Sequence, residues 1–579
     1  MKQAELVKKL SSASPEKSEK LVKQLLEHGS EYNVYPLSPE QQRLYFLQNY
    51  TDYGKYSYIC PYEFETSSYE DSEKILNAIH ELVKAHEILR TLYFSVNGTA
   101  FQTVCSPDDI EISCMEYDLS EEYAASKDIY ANRLNEIFTV PFELDKELSV
   151  KCCRIKKSEE LYSVIMIMHH INHDAWTIGM LIKEVELYLK SGIVGSEKYS
   201  YIDYVKWRNS EECLAKEQED LLYWKETLDE NNGDIGMKII SGKREKKSCV
   251  AEGTVDSSID EKIEKIIAGT SITVSNFYLA ALNLALCSFS LRDDVNIGTI
   301  VLNRDNADFL STYGFFANTI VVYTHIDRDM KFVDFLKKVS DDALGALKRS
   351  NVSFDKIVDA VCSERNGVST PLFQTMFSFY GRNLLGGANS EDLSFRFSNL
   401  TPANEAQQDL FVSVDEYLGS TRIGVMTDSA KITDEWTKRF YELLIDMITK
   451  AASEPEKKIS EIIDINIGKE FRDFTEANKA DNDEEIEASG IRDDINIKIK
   501  SIVEAKLDIN DPDENESLFR LGGNSMNSIY MLEAINSEFG VDIEISELFR
   551  YSTIALLADL IREKKGISSS DDEIEIEEF

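Results

Sequence analysis

Three histidines and an aspartate stand close together in "MHHINHDAW", Met168 to Trp176. They are His169, His170, His173 and Asp174. An imidazole can bind a metal ion, accept a proton, or satisfy buried hydrogen bonds. The apolar run "SVIMIM" leads into His169 and His170 as a predicted strand, and adjacent strand residues point to opposite faces. These two histidines are therefore poorly placed to share one ion.

His170 and His173 could share an ion if the chain turns, but the ligand count and spacing match no common zinc pattern. Two other interpretations remain. The histidines could form a buried, hydrogen-bonded polar cluster. Alternatively, one reactive imidazole faces a cleft while Asp174 fixes the local turn. We favour the reactive imidazole, because an imidazole is suited to take a proton near neutral pH.

A serine at the start of a predicted helix is the second candidate site. In "LFRLGGNSMNSIYMLEAINSEFG", Gly522 and Gly523 allow a tight turn, Ser525 begins an amphipathic helix, and Gly540 ends it. The Ser525 hydroxyl could be an N-cap. It could also be an attachment point, because a phosphodiester there would lie against the free N–H groups and the dipole of the helix. Spacing alone leaves both functions open.

The order of patterns along the chain predicts several regions. Between Tyr35 and about Ile467, helical and strand patterns alternate over a span too long for one core, which indicates two lobes. A charged segment poor in aliphatic residues follows, and then a compact run of helical patterns. The predicted regions are an N-terminal helical segment (1–30), an α/β region (31–467, with lobes of about 31–200 and 201–467), a linker (468–490), a small helical domain (491–566) and an acidic tail (567–579).

Charge and cysteine usage restrict the class of partner. The 579 residues include 63 Lys and Arg against 104 Asp and Glu, a formal net charge of −41. Such a surface repels nucleic acid and anionic membranes. No apolar run of about 18 residues predicts a membrane-spanning helix, and the N-terminus lacks an apolar signal core. With nine cysteines and no CxxC spacing, we expect a cytoplasmic protein.

The C-terminal patterns resemble a known family. "LFRLGGNSMNSIYML" and "FGVDIEISELFRYSTIALLADLI" are similar to a peptidyl carrier domain of nonribosomal peptide synthetases. The resemblance implies a four-helix bundle on which Ser525 carries covalent 4′-phosphopantetheine, attached by a phosphopantetheinyl transferase. Asn524 stands where the family usually has Asp or His.

The longer region resembles the condensation domains of the same synthetases, which are relatives of chloramphenicol acetyltransferase. "MHHINHDAWTIGML" is similar to their HHxxxDG signature. Six other segments match in the family's order: "LSPEQQRLYFL", "KAHEILRTLYF", "YIDYVKW", "YGFFANTIVV", "RSNVSFDKIV" and "TPLFQTMFSF". The resemblance implies an α/β fold of two acetyltransferase-like lobes in a V, with a tunnel between them. The chain departs from the usual residues at Glu40, Ala175, Arg349 and Ser353, and Ala175 would narrow the acceptor side.

The same resemblance assigns roles to the histidine segment. His170 is the signature's second histidine and is expected to face the tunnel as the catalytic imidazole. His169 is expected to support it structurally. Asp174 is expected to turn away and pair with an arginine of the second lobe, for which Arg304 in "VLNRDN" is the candidate. The implied reaction is amide-bond formation between a donor acyl or peptidyl thioester and an acceptor amine.

No adenylation signature is visible, and the linker stands where the family usually inserts an activating domain. We therefore expect a separate adenylation enzyme to load the acceptor. The other expected partners are an upstream donor carrier protein or synthetase and a downstream synthetase or release enzyme. Two alternatives remain: acyl transfer to a free amine or alcohol, and a non-catalytic scaffold that presents the carrier. The tail "DDEIEIEEF" is either a solubilising segment or a docking peptide for the next enzyme.

Overall fold

A computed structural model provides the fold. It describes residues 2–12, 15–28, 33–50, 54–229 (without 111 and 113), 235–236, 248–362, 372–381, 395–400, 408–417, 420–429, 431–475 and 494–565, the last with gaps at 508, 510, 515, 517, 519–520, 522–524, 542, 544–547, 549–550 and 552. No helix within these ranges is long and apolar enough to cross a membrane.

The first lobe surrounds a five-stranded sheet of order β12-β2-β7-β6-β5 and a three-stranded sheet of order β1-β4-β3. Its strands are β1 (Val34–Pro36), β2 (Ile59–Thr66), β3 (Thr91–Val96), β4 (Thr99–Val104), β5 (Cys114–Asp118), β6 (Val150–Ser158) and β7 (Leu161–His169), joined by β12 (Arg396–Asn399). Its helices are α1 (Lys2–Ser12), α2 (Pro15–His28), α3 (Pro39–Tyr50), α4 (Gly54–Ser57), α5 (Tyr69–Ala85), α6 (Ser120–Ala125), α7 (Lys127–Phe138), α8 (Ala175–Ser191) and α9 (Tyr201–Arg208).

The second lobe surrounds a six-stranded sheet of order β10-β9-β11-β13-β14-β8. Its strands are β8 (Ser248–Thr254), β9 (Asp294–Val301), β10 (Asn318–His325), β11 (Thr375–Tyr380), β13 (Leu410–Tyr417) and β14 (Ser420–Asp428). Its helices are α10 (Glu211–Thr227), α11 (Ser257–Ile267), α12 (Val274–Ser290), α13 (Phe332–Leu347), α14 (Phe354–Val361), α15 (Asp434–Ser453), α16 (Ile459–Ile462) and α17 (465–475).

The predicted strand before the histidines is β7. It pairs antiparallel with β2 on one side and with β6 on the other, and it is buried from Ser163 to His169. A strand buried on both faces carries a continuous apolar run instead of an alternating one. The apolar run "FFANTIVVYTHI", whose pattern predicts a strand, contains β10. The amphipathic segments "MLIKEVELYLKSG" and "FVDFLKKVSDDALGALKRS", whose patterns predict helices, form part of α8 and α13.

The division between the lobes differs from the predicted one at residues 200 and 201. Helix α9 packs in the core of the first lobe through Tyr201, Tyr204 and Val205. Strand β12 comes from the second half of the chain but pairs antiparallel with β2. The physical reason is that Phe397 of β12 packs against Phe64, with ring centroids 5.4 Å apart. The second half of the chain therefore contributes a strand to the sheet of the first lobe, and no single residue separates the lobes.

The predicted linker begins too early. Residues 465–475 form α17, in which Phe471 is buried against Phe289, with ring centroids 4.1 Å apart. A Cβ atom at position 468 would come within 2.3 Å of the Ser288 carbonyl oxygen, so Gly468 allows α17 to lie close to α12. These residues belong to the second lobe, and the rest of the predicted linker lies outside the described residues.

The C-terminal domain has a core of its own. Helices α18 (Asp494–Leu507), α19 (Ser525–Phe539) and α20 (Ile554–Lys565) bury Ile499, Val503, Ile535 and Leu557, among others. The described residues thus contain three of the four helices that the carrier resemblance implies. The acidic tail, 567–579, lies outside them.

The predicted N-terminal helical segment forms two helices, α1 and α2. They pack on the three-stranded sheet, where Leu6, Val22 and Leu25 share a core with Phe94. Their spacing places Leu21 and Leu26 beside Val22 and Leu25 on one face of α2. Only Val22 and Leu25 are buried, whereas the side chains of Leu21 and Leu26 are exposed.

Candidate active site

The three histidines lie at a turn between a strand and a helix. Strand β7 ends at His169, His170 begins a single 3₁₀ turn that ends at Asn172, and α8 begins at Ala175. Asp174 is the N-cap of α8, because its Oδ1 accepts a hydrogen bond of 2.8 Å from the Thr177 backbone N–H. The change of backbone conformation turns the successive side chains in different directions.

His169 points into the core of the first lobe. Its Nδ1 accepts from the Ile171 backbone N–H at 3.1 Å, so its Nε2 carries the proton and donates to Gln48 Oε1, also at 3.1 Å. Burial lowers the pKa of His169 to about 3. The ring is therefore neutral and fully engaged with protein atoms, which is the arrangement of a supporting residue.

His170 is the one partly exposed ring among the three; the side chains of His169 and His173 are 0% exposed. The Nδ1 atom of His170 lies 2.8 Å from the His173 backbone oxygen. Because a carbonyl oxygen only accepts, Nδ1 carries the proton and Nε2 has the lone pair that can take another. The Phe315 ring packs edge-on against His170, with centroids 5.2 Å apart.

His173 has no nitrogen available to an ion. Its Nε2 is 2.9 Å from the Tyr62 hydroxyl, and its Nδ1 is 2.8 Å from Asn172 Oδ1. A metal ion shared by His170 and His173 would require a nitrogen lone pair of each ring to point at the same position. Instead their rings are stacked, with an interplanar angle of 12° and centroids 4.9 Å apart.

Asp174 and Arg304 form a buried ion pair between α8 and the segment after β9. The Arg304 Nη2 atom is 3.2 Å from each carboxylate oxygen of Asp174. The Nη1 atom of Arg304 donates to the carbonyls of Phe309 and Thr312, at 3.0 and 2.7 Å. The guanidinium also lies over the Phe316 ring, 3.9 Å from its centroid. The pair therefore fixes the segment that brings Phe315 to His170.

Gly314 allows this segment to contact α8 closely. Its carbonyl accepts from Thr177 Oγ1 at 2.8 Å, and its φ is +155°. A Cβ atom at this position would come within 2.0 Å of the Tyr201 ring. The Tyr201 hydroxyl in turn donates to the Phe315 carbonyl. Any side chain at position 314 would therefore displace the ring that packs against His170.

The α/β region and the C-terminal domain each match a protein-family model. The model described as Condensation domain matches residues 31–466. The chain belongs to the condensation-domain family. A second model, described as Phosphopantetheine attachment site, matches residues 498–561. The C-terminal domain is thus of the type to which 4′-phosphopantetheine is covalently attached through a serine.

Two similar curated proteins are synthases of Bacillus species. Surfactin synthase subunit 2 of Bacillus subtilis (strain 168) is 25% identical over 443 residues, which are 74% of this chain and 12% of that protein. Bacitracin synthase 1 of Bacillus licheniformis is 25% identical over 456 residues, 77% of this chain and 8% of that protein. The chain therefore spans only 8–12% of the length of these relatives.

Solved structures confirm the predicted fold class. A four-domain nonribosomal peptide synthetase in its holo form, bound to AMP and glycine, aligns over 75% of this chain and 34% of that chain, with a TM-score of 0.63 and 18% identity. The X-domain from teicoplanin biosynthesis aligns over 74% and 97%, with a TM-score of 0.62 and 17% identity. At these identities the likeness shows the condensation-domain fold and no more.

The segment "KAHEILRTLYF" contains a buried histidine, His86, whose two glutamate partners the sequence did not reveal. We call these three residues the His86 cluster. His86 is buried, with Nε2 at 2.7 Å from Glu184 and Nδ1 at 3.0 Å from Glu197. Its ring stacks on Tyr313, with centroids 3.7 Å apart. Burial alone would lower the pKa of His86, but the two glutamates outweigh it and raise the pKa to about 9. The partners are too distant in sequence to give a local signal.

We expect the stability of the condensation domain to fall above neutral pH because of His86. Its folded pKa of about 9 exceeds the ordinary 6.5, so the stabilisation is complete below pH 6.5 and is lost as the pH rises through 9. A shift of this size corresponds to a free energy on the order of 3 kcal/mol. Thermal melts between pH 6 and 10 should show a steeper decline for the wild type than for His86→Gln.

The exposed His325, which pairs with Asp294, provides the control. His325→Gln should leave the pH dependence of the melting temperature as it is in the wild type. If His86→Gln shows the wild-type decline as well, the His86 cluster is not charged in the folded protein.

Ser525 is the first residue of α19, the position that its sequence predicted. The orphan N–H groups of a helix N-terminus and the positive end of the helix dipole both favour a phosphodiester at such a residue. The preceding Gly522, Gly523 and Asn524 lie outside the described residues. The site therefore fits the group that its family model implies.

Proposed function

We propose that this chain is the condensation–carrier part of a nonribosomal peptide synthetase and joins a donor acyl or peptidyl thioester to an acceptor amine. The observation that carries the proposal is the state of His170. Its Nδ1 is committed to the His173 carbonyl at 2.8 Å, and its ring is partly exposed. The unprotonated Nε2 is therefore the atom that can meet a substrate.

In the proposed reaction the amine attacks the thioester carbon and gives its proton to Nε2 of His170. The C–N bond forms, the C–S bond breaks, and the donor thiolate recovers the proton. A positioned general base contributes about 10²–10⁴-fold to such a step. Holding the two substrates together can contribute more, since effective molarities reach roughly 10⁵–10⁸ M. His170 thus orients the amine as well as accepting its proton.

The attachment residue for 4′-phosphopantetheine is proposed to be Ser525, modified by a phosphopantetheinyl transferase. When bound, this group supplies a thiol on a flexible arm that carries acyl groups as thioesters. The contribution of the chain itself is to present the attachment oxygen at the start of α19, on a domain with a separate core.

Loading of the acceptor in trans is also proposed. The match to the condensation domain ends at residue 466 and the match to the carrier begins at residue 498, so no activating domain fits between them. A stand-alone adenylation enzyme in the same cytoplasm would then load Ser525. The donor would come from an upstream carrier protein or synthetase, and a downstream synthetase or release enzyme would receive the product.

We expect His170→Ala to slow amide formation by about 10²–10⁴-fold, because it removes the proton acceptor. The assay combines the phosphopantetheinylated chain, a donor carrier with its acyl group, a separate adenylation enzyme and an amino acid, and follows the intact mass of the products. His80→Ala, on α5, is the matched control and should react like the wild type. Omitting the adenylation enzyme should abolish product formation.

Other outcomes would contradict the proposal in different ways. Product on a soluble amine or alcohol, with none on the carrier, would show that the acceptor is not carrier-bound. Equal rates for His170→Ala and the wild type would exclude His170 from the reaction. A complete absence of product with several donors would favour a scaffold that only presents the carrier.

A further inference from the structure

The proposed reaction uses the backbone oxygen of His173 but gives its side chain no role, although both ring nitrogens are held by hydrogen bonds. The Asn172 amide donates to Ser149 Oγ and to the Ser149 carbonyl, at 2.9 and 3.0 Å, so Asn172 Oδ1 faces His173. Nδ1 of His173, at 2.8 Å from that oxygen, therefore carries a proton. Nε2 must then accept from the Tyr62 hydroxyl at 2.9 Å. Tyr62 and Asn172 thus select one tautomer of His173.

The same ring is kept neutral in the folded protein. Burial, together with the nearby His170, lowers the pKa of His173 well below its ordinary range. Tyr62 is held in place independently of the histidines. It lies on β2 opposite Met166 of β7, and its ring stacks on Phe397 with centroids 5.9 Å apart.

Residue 173 restrains His170 on two sides. Its backbone oxygen accepts from Nδ1 of His170 at 2.8 Å, and its ring lies parallel to the His170 ring at 4.9 Å. The carbonyl of His173 fixes the tautomer of His170, and the ring of His173 restrains the plane of the His170 ring. The His170 ring becomes a cation when it accepts the proton of the amine. The neutral His173 ring face beside it stabilises that cation, whereas a protonated His173 would repel it.

We propose that His173 and Tyr62 are positioning residues for His170. Their hydrogen bond holds the His173 ring and carbonyl so that the His170 imidazole keeps Nε2 directed at the substrate amine. The proposal rests on the function proposed above. The inference extends that function, because it assigns His173 and Tyr62 of the neighbouring strand to the orientation of His170.

The test removes one oxygen atom. Tyr62→Phe keeps the stacking on Phe397 but leaves Nε2 of His173 without its donor, so the His173 ring and carbonyl lose one restraint. We expect kcat for amide formation to fall between about 10-fold and 100-fold, since small misplacements of reacting groups cost this much. KM for donor and acceptor should change less than about twofold, because no substrate contact is removed.

Tyr278→Phe is the matched control. It removes another buried tyrosine hydroxyl, which donates to Asp260 at 3.0 Å in the second lobe. Its melting temperature should fall about as much as that of Tyr62→Phe, with kcat unchanged. Equal loss of kcat in both variants would mean that general destabilisation explains the effect, and the positioning role would be overturned.

A second readout does not depend on activity. In the full chain labelled with ¹⁵N-histidine, ring signals of His170, assigned with His170→Ala, should show protonated Nδ1 in the wild type and in Tyr278→Phe. In Tyr62→Phe they should show a mixture of tautomers. An unchanged His170 signal in Tyr62→Phe would overturn the inference. If the wild type makes no amide, the proposed function fails, while this spectrum still decides whether Tyr62 and His173 orient His170.

Discussion

We expect Ser525→Ala to remove the entire mass gain that a broad-specificity phosphopantetheinyl transferase and coenzyme A produce on this chain. The transferase forms a phosphodiester with one serine oxygen and releases the nucleotide portion of coenzyme A, so loss of that oxygen leaves no product. Residues 498–561 match the attachment-site family, and Ser525 is the first residue of α19 within that match. Intact-mass measurement of the full chain before and after incubation checks the prediction.

Ser528 offers a close control. It lies one turn further along α19, so Ser528→Ala changes the same helix without touching its first residue. This variant should be modified like the wild type, and the wild type should gain one group only. A mass gain that survives Ser525→Ala, or that disappears with Ser528→Ala, would show that Ser525 is not the attachment residue. Condensation onto the chain's own carrier should be absent in Ser525→Ala, while thermal melts remain unchanged.

Local patterns were sufficient for the elements that carry the candidate site. The apolar run before His169 predicted β7, because a central strand must be apolar on both faces. The glycines before Ser525 and Gly540 after it predicted both ends of α19, since helix ends have strong local signals. The position of Asp174 before an apolar helical pattern agrees with its N-cap role in α8.

Contacts between distant residues could not be predicted in the same way. The four residues of β12 pair with β2, hundreds of positions earlier, and a strand so short has no periodicity to recognise. Phe471 lies in a charged segment that resembles a linker, and its packing on Phe289, a contact between distant residues, shows that α17 belongs to the second lobe. Likewise, the glutamates that bind His86 lie on α8 and in the loop after it.

The ion pair between Asp174 and Arg304 determines whether the two halves of the site stay together. Both side chains are buried, at 1% and 3% exposure. Asp174 caps α8 and also accepts from the Phe316 backbone N–H at 3.2 Å, while Arg304 binds the Phe309 and Thr312 carbonyls. One pair therefore links the helix after His170 to the segment that presents Phe315.

We expect Asp174→Ala to reduce the unfolding free energy of the condensation domain by about 3–5 kcal/mol, because it strands a buried guanidinium. Loss of the N-cap adds about 1 kcal/mol. Asp174→Asn keeps an oxygen for the Thr177 N–H but loses the charge. Its unfolding free energy should therefore lie between those of the wild type and Asp174→Ala. Thermal and denaturant unfolding of the three proteins measures these losses, and activity should fall together with stability.

Two further variants test whether loss of the ion pair itself causes the expected loss of stability in Asp174→Ala. Asp308→Ala breaks an exposed pair with Lys198 in the same neighbourhood, which should cost less than about 1 kcal/mol. In the double variant Asp174→Asn with Arg304→Met no buried charge is stranded, so it should be more stable than either single variant. If Asp174→Ala melts like Asp308→Ala, the buried pair does not hold α8 to the second-lobe segment. If the double variant shows the simple sum of the single losses, Asp174 and Arg304 act independently despite their contact.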